Sequence, residues 1–216
     1  VNYRGTENLL NESLRQGVEH FIYVSSASVV YKHTTAYSRS KMRSELLIKE
    51  SGINYTIIRP TLVYDFGKGS AEFDRFLDYL RAFPVIPFIG NGNAVKRPVH
   101  VDAVKRGLVS ICYNERTYNK TYNFSGVQPL KMKELAAFCL ILLNMRKKKI
   151  IYIPVGICRI ISYIMGMIRS EPPLRWQVVA GVIQDADLDP SAAIEETGFT
   201  ESDVFRDLPK CFPREG

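Results

Sequence analysis

Between residues 2 and 60 the apolar positions switch back and forth between a helical and an extended rhythm, and this constrains the fold more than any other feature of the chain. Leu9, Leu10 and Leu14 recur at helical spacing over residues 2–16, and Gly17 supplies the residue type that favours the left-handed turn just past a helix end. His20 to Val24 is a short aromatic and β-branched run that ends in Ser25, Ser26, Ala27 and Ser28, which reads as a buried strand with small residues at its carboxyl end. Thr34 or Thr35 can cap the next helix, which runs to Gly52 with Met42, Leu46 and Leu47 on one face. Tyr55 to Arg59 is the following strand, and Pro60 ends it. Helix, strand, helix, strand in this order predicts an α/β fold, a parallel sheet with helices against its faces.

Farther along, the spacing predicts helices over 71–82, 102–113 and 130–144 and strands near 95–101, 121–124 and 149–153. There is no internal repeat and no low-complexity tract. Ile150 to Ile168 is almost wholly apolar and follows the basic run Arg146 to Lys149, the outline of a membrane helix with a cationic flank. Pro154 near its start and Arg159 in its middle argue instead for a strand followed by a buried helix. No transmembrane span is expected, and the basic flank leaves peripheral membrane contact open.

Composition narrows the class. With 46% apolar and 24% charged residues, a disordered tail, a collagen-like fibre and a disulfide-rich miniprotein are excluded. A net charge of +7 makes phosphate-bearing partners plausible, but it comes without an aromatic-rich RNA motif, so no nucleic-acid partner is expected. Cys112, Cys139, Cys158 and Cys211 form no Cys-x-x-Cys pair and no ligand spacing with histidine, so four free thiols and a cytoplasmic location are expected. The chain opens at Val1-Asn2-Tyr3 inside what reads as a helix, which gives the expectation that it is a fragment.

The chemistry-bearing cue is Tyr37 with Lys41. By itself the spacing carries little, and Tyr64 with Lys68 repeats it in a glycine-rich turn. Tyr37 and Lys41, however, sit four apart on a predicted helix, so both project from one face. The preceding strand delivers Ser26 to the carboxyl edge of the sheet, where open α/β sheets bind ligands. A tyrosine ordinarily titrates near 10. A neighbouring ammonium favours the phenolate, and a tyrosine so placed can exchange a proton with an alcohol or sugar hydroxyl. A serine beside it can hold the same oxygen.

Several segments then appear in a familiar order: Val1 to Leu10, Phe21 to Tyr31, Tyr37 to Lys41, Ile58 to Tyr64 and Pro98 to Asp102, with Asp189 to Phe199 near the end. Together they resemble the extended short-chain dehydrogenase/reductases of the NAD-dependent epimerase/dehydratase family, and the tail resembles nucleotide-sugar epimerases. The resemblance implies a Rossmann-like doubly wound parallel sheet, its N-terminal part with the glycine-rich turn lying before Val1, and a smaller C-terminal substrate-binding lobe. Residues 1–125 would be the later part of the NAD(P)-binding domain, with substrate-lobe segments interleaved at about 65–95, and 126–216 mainly the lobe. The implied catalytic set is Ser26 on the substrate hydroxyl, Tyr37 as acid/base and Lys41 on the nicotinamide ribose. Asn2 and the backbone at Pro60 and Thr61 would line an NAD or NADP cofactor.

Departures from the family pattern bear on the substrate. Tyr31 to Tyr37 is shorter than usual, Tyr64-Asp65-Phe66-Gly67 replaces Tyr-Gly-Pro-Gly, and Leu62 stands where some sugar epimerases carry asparagine. Lys96 stands where many members place a diphosphate-binding arginine, and Arg97 follows it; a lysine supplies a point charge without the bidentate fork. Lys96 and Arg97 are therefore the expected substrate-diphosphate contacts. No metal is expected: His100 lacks partners in the sequence, and Asp102 reads as the cap of the next helix. The resemblance implies an NAD(P)-dependent epimerase, dehydratase or 4-keto reductase acting on a nucleotide sugar, with a homodimer as an open assembly state. The alternatives are a sterol or small-alcohol dehydrogenase of the same fold and a non-catalytic Rossmann-like subunit.

Overall fold

The computed structural model describes residues 2–65, 71–168 and 182–212. In chain order the first half comprises α1 (Asn2–Arg15), β1 (Phe21–Val24), α2 (Ala36–Glu50), β2 (Tyr55–Pro60), β3 (Val63–Tyr64), α3 (Ala71–Ala82), β4 (Val85–Ile89), β5 (Val95–Lys96), β6 (Val99–His100) and α4 (Val101–Ile111). There follow β7 (Lys120–Phe124), β8 (Leu130–Lys131), α5 (Met132–Leu142), β9 (Lys149–Ile153), α6 (Val155–Ile168) and two short helices, Ser191–Thr197 and Val204–Asp207.

The predicted alternation is realised by local signals. Gly17 ends α1 at φ 68°, a conformation open to glycine. Thr35 starts α2 with reciprocal bonds: its hydroxyl accepts the Ser38 N–H at 3.1 Å, and its own N–H donates to Ser38 Oγ at 2.7 Å. β1, β2 and β7 form a parallel three-stranded sheet in that order, with Val24 opposite Ile58 and Pro60 opposite Phe124 at the carboxyl end.

Successive strand residues face opposite sides, so Ile57 and Ile58 serve two different cores. On one face Leu10 of α1 and Ile48 of α2 pack on Phe21, Tyr23 and Ile57. On the other, Val104 and Ile111 of α4, with Ala193 and Phe199, pack on Ile58, Tyr122 and Phe124. Helices thus cover both faces, as in a doubly wound sheet. Gly107 lets α4 approach closely, since a Cβ there would lie 2.5 Å from the Phe124 ring, which itself stacks on Phe199 at 4.4 Å.

A separate core joins α3, β4, α5 and their neighbours through Phe73, Leu77, Ile86, Phe88, Leu135 and Cys139. β4 and β9 pair in parallel from Val85 with Lys149 to Ile89 with Ile153, so segments far apart in sequence interleave.

Three expectations need correction. The strand expected over 95–101 is two pieces: β5 pairs antiparallel with β8 and β6 parallel with β3, because Pro98 between them has no N–H for a ladder. The cap of α4 is His100 rather than Asp102; the His100 ring accepts the Asp102 N–H at 3.2 Å, and Asp102 lies in the first turn, where a carboxylate suits the helix dipole. The helix after Pro154 forms, but it is not buried: Ile160, Tyr163, Ile164 and Met167 are more than half exposed, and Cys158 is its buried member among the described side chains. No helix among the described residues is long and apolar enough to cross a membrane. The four cysteines are free, and Lys68 of the second Tyr/Lys match lies outside the described residues.

Candidate functional site

The carboxyl end of the three-stranded sheet gathers small polar residues because each strand stops at one. β1 runs into Ser25 and Ser26, β2 into Thr61, and β7 into Ser125 and Gly126. The Ser25 N–H extends the ladder to Ile58 O at 2.8 Å, and the Thr61 N–H reaches Phe124 O at 3.1 Å, so this edge is held by backbone bonds. Ser25 Oγ and Ser125 Oγ are buried there without a hydrogen-bond partner among the described residues. Buried hydroxyls normally find partners. A polar group bound at this edge would supply them, so the residues present fit a dinucleotide's sugar or amide end. Ser125 was not foreseen from the sequence, although its place directly after a strand, like that of Ser25, is a readable signal.

Ser26 caps the turn Ala27–Val30, its Oγ accepting the Ser28 N–H at 3.2 Å and keeping its own proton to donate. Lys41 reaches from α2 to the same strand end: its ammonium donates to Val24 O at 2.7 Å and lies 4.7 Å from the centre of the Tyr23 ring. Tyr37, one turn earlier on α2, is 49% exposed, open to a ligand rather than buried in the core. Asn2, in the first turn of α1, lines a cavity of about 320 Å³ with Gly5, Thr6, Leu9, Phe21, Ile22 and Tyr23, along the outer edge of β1. Pro60 is buried in the sheet, and Thr61 Oγ1 donates to Arg97 O.

An ion pair absent from the sequence reading fixes α2 against β2. Glu45 stands one turn beyond Lys41, and Arg59 grips it from the strand with Nε–Oε1 at 3.0 Å and Nη2–Oε2 at 2.6 Å. The Glu45 side chain is 6% exposed. The signal was an arginine inside an otherwise apolar strand.

The structure brings Lys96 and Arg97 to this region but occupies their charged ends. The Lys96 ammonium is buried, donating to Tyr31 OH at 2.7 Å and to Gln184 O at 2.6 Å. Burial pushes its pKa down to about 8, against the opposing pull of Glu72 and Asp185. The same burial, then those two carboxylates, raise the Tyr31 phenol. Gln184 also bonds the backbone of His33 in both directions, so Lys96 and Gln184 together hold the short segment ahead of α2. Arg97 pairs with Asp187 and donates to Val127 O at 3.0 Å.

With this geometry in view, residues 2–77 match an NAD(P)H-binding family. The fold is similar to that of solved structures such as a dTDP-glucose 4,6-dehydratase of Streptomyces venezuelae with NAD bound: TM-score 0.71, 20% identity, covering 97% of this chain and 64% of that one. The fold is the Rossmann-like fold of epimerases and dehydratases. A UDP-glucuronic acid 4-epimerase of Bacillus cereus gives TM-score 0.72 at 15% identity over 98% of this chain and 65% of its own. Among curated relatives, the mouse NADH dehydrogenase [ubiquinone] 1 alpha subcomplex subunit 9 is 32% identical over 53% of this chain, which spans 30% of that subunit's length. A dTDP-glucose 4,6-dehydratase of Streptomyces griseus is 27% identical over 65% of this chain, which spans 48% of that protein.

Proposed function

We propose that this chain carries the acid/base residues of an NAD(P)-dependent epimerase, dehydratase or 4-keto reductase whose substrate is a nucleotide-linked sugar. The observation that carries the reading is the contact of Lys41 with the end of β1, at 2.7 Å, which sets the Tyr37/Lys41 face of α2 over the strand end that supplies Ser26. Bound NAD(P) supplies hydride transfer. The chain's own groups do the rest. Ser26 donates a hydrogen bond to the substrate oxygen, Tyr37 passes a proton to or from that oxygen, and Lys41 turns from Val24 O to the cofactor ribose while keeping a positive charge beside the phenol. Asn2, Pro60 and Thr61 line the cofactor. Arg97 binds the diphosphate by exchanging Asp187 for it, and Lys96 joins it by turning from Tyr31 OH and Gln184 O. In this reading residues 1–125 are chiefly cofactor domain, 126–216 chiefly substrate lobe, and the protein acts in the cytoplasm.

The test is an assay of the purified protein against a panel of UDP- and dTDP-sugars with NAD or NADP, following products by chromatography. Conversion of a nucleotide sugar, with a KM that rises about tenfold or more in the Lys96→Ala/Arg97→Ala variant, supports the reading. Turnover only of alcohols without a diphosphate overturns it.

A second reading has its own support. The internal engagement of Lys96 and Arg97 and the likeness to an NADH dehydrogenase [ubiquinone] subunit favour a dinucleotide-binding subunit without turnover. The exposed apolar side chains of α6 suit such a role through peripheral contact with an anionic lipid surface. Arg146, Lys147 and Lys149 are exposed just ahead of it, and no Asp or Glu stands between Glu134 and Glu171.

A further inference from the structure

Three side chains with no part in the acid/base reading converge at the ends of β3 and β6. Asp65 directly follows β3, His100 ends β6, and Cys211 closes the turn Leu208–Cys211. The parallel register sets Tyr64 opposite His100, with the Tyr64 ring edge-on to the imidazole at 5.2 Å, and this brings Asp65 beside the ring. One donor atom from each of Asp65, His100 and Cys211 lies within 4.8 Å of the other two. His100 Nε2 and Cys211 Sγ are 3.6 Å apart. A tetrahedral zinc ion with bonds of about 2.0–2.3 Å holds its ligand atoms roughly 3.3–3.8 Å from one another, so this pair already stands at liganding separation.

We propose that Asp65, His100 and Cys211 form a zinc-binding site with a fourth position open to water. The donor set decides the metal: thiolate with imidazole is a borderline-soft combination suited to zinc, whereas calcium and magnesium take oxygen ligands. Charge decides it too. One thiolate and one carboxylate neutralise a divalent ion, which compensates the burial of Asp65, 8% exposed. Binding forms bonds from zinc to one Asp65 oxygen, to Nε2 and to Sγ, and releases the Cys211 thiol proton to solvent.

Asp102 is the positioning residue of this site. Zinc on Nε2 requires the ring proton on Nδ1, and that nitrogen lies 3.7 Å from Asp102 Oδ2. In the structure Nδ1 accepts the Asp102 N–H at 3.2 Å, so metal binding switches the tautomer and turns the Asp102 carboxylate into the acceptor. The Cys211 thiol is held in place by Asp207 O at 3.7 Å. Sequence reasoning left His100 without partners because Cys211 lies 111 positions away.

The proposal is independent of the acid/base reading, and its test reads the metal rather than turnover. The reduced, chelator-treated protein is titrated with cobalt(II) as a zinc probe. One cobalt per chain should bind, with a thiolate-to-cobalt charge-transfer band and intense four-coordinate visible bands, both abolished by added zinc. Cys211→Ser removes the charge-transfer band, Cys112→Ser leaves it, and Asp102→Asn weakens cobalt binding about 10- to 100-fold. In the unaltered protein zinc slows alkylation of Cys211, read by peptide mass, and leaves the exposed Cys112 unaffected; this arm needs no variant to fold. Absence of the charge-transfer band, its survival in Cys211→Ser, or unchanged Cys211 alkylation overturns the proposal.

Discussion

Replacing Arg59 with methionine tests what holds α2 over the sheet edge. Methionine keeps much of the side-chain volume in β2 but leaves Glu45, 6% exposed, without its two charged hydrogen bonds at 3.0 and 2.6 Å. Breaking a buried ion pair by removing one partner costs about 3–5 kcal/mol, because the remaining charge stays buried and uncompensated. For a chain of this size each kcal/mol lowers the melting temperature by about 2–4 °C, so a fall of roughly 6–20 °C is expected. Thermal and urea denaturation followed by circular dichroism measure it. The companion Glu45→Met/Arg59→Met variant should be less destabilised than Arg59→Met alone, since neither charge then remains. A loss below about 1 kcal/mol in Arg59→Met, the range of exposed pairs, would refute the claim that this bond fixes the helix.

Lys96, pushed down to about 8 by burial, gives up its proton in the folded chain well before the unfolded lysine does near 10.4, so stability should climb as pH rises from about 8 to 10, by up to about 3 kcal/mol. Lys96→Met should flatten that climb in urea titrations, and identical pH slopes for the two proteins would contradict it. Gly126→Ala should destabilise by about 1–3 kcal/mol, because its Cβ would fall 1.9 Å from Pro98 O, whereas Gly5→Ala in α1 meets nothing within 4 Å and should gain up to about 1 kcal/mol. Denaturant midpoints of the two variants on the same side of the parent would refute this. If α6 docks on lipid, the protein co-sediments with phosphatidylglycerol/phosphatidylcholine vesicles, less so at high salt, and Ile160→Glu/Ile164→Glu abolishes it; equal binding to pure phosphatidylcholine would oppose the electrostatic part of the claim.

The sheet and its two first helices were legible because their signals are local. Gly17, a threonine cap at 34 or 35 and the apolar runs 20–24 and 55–59 each specify structure within a few residues. The same reading placed Ser26 at a strand end and Lys41 on the helix above it. What escaped depends on distant partners. β4, from Val85 to Ile89, was not foreseen; it forms because β9 lies beside it, some sixty residues on. The helix from Val155 carries apolar residues on nearly every side, and such a pattern states hydrophobicity without stating what will cover it. Lys96 read as a diphosphate contact, and its internal engagement was not legible because its acceptors, Tyr31 and Gln184, lie 65 and 88 positions away.

The central claim is that Tyr37 moves the substrate proton at the sheet edge marked by Ser26 and Lys41. Its most direct test compares turnover and NAD(P)H affinity in Tyr37→Phe with the parent, using the nucleotide sugar the panel identifies. Tyr37 is half exposed, so losing its hydroxyl should leave folding intact and cofactor affinity nearly unchanged. Turnover should fall by about 10²-fold or more, the scale of general acid–base catalysis. Turnover equal to the parent's, with the cofactor still bound, would contradict the account.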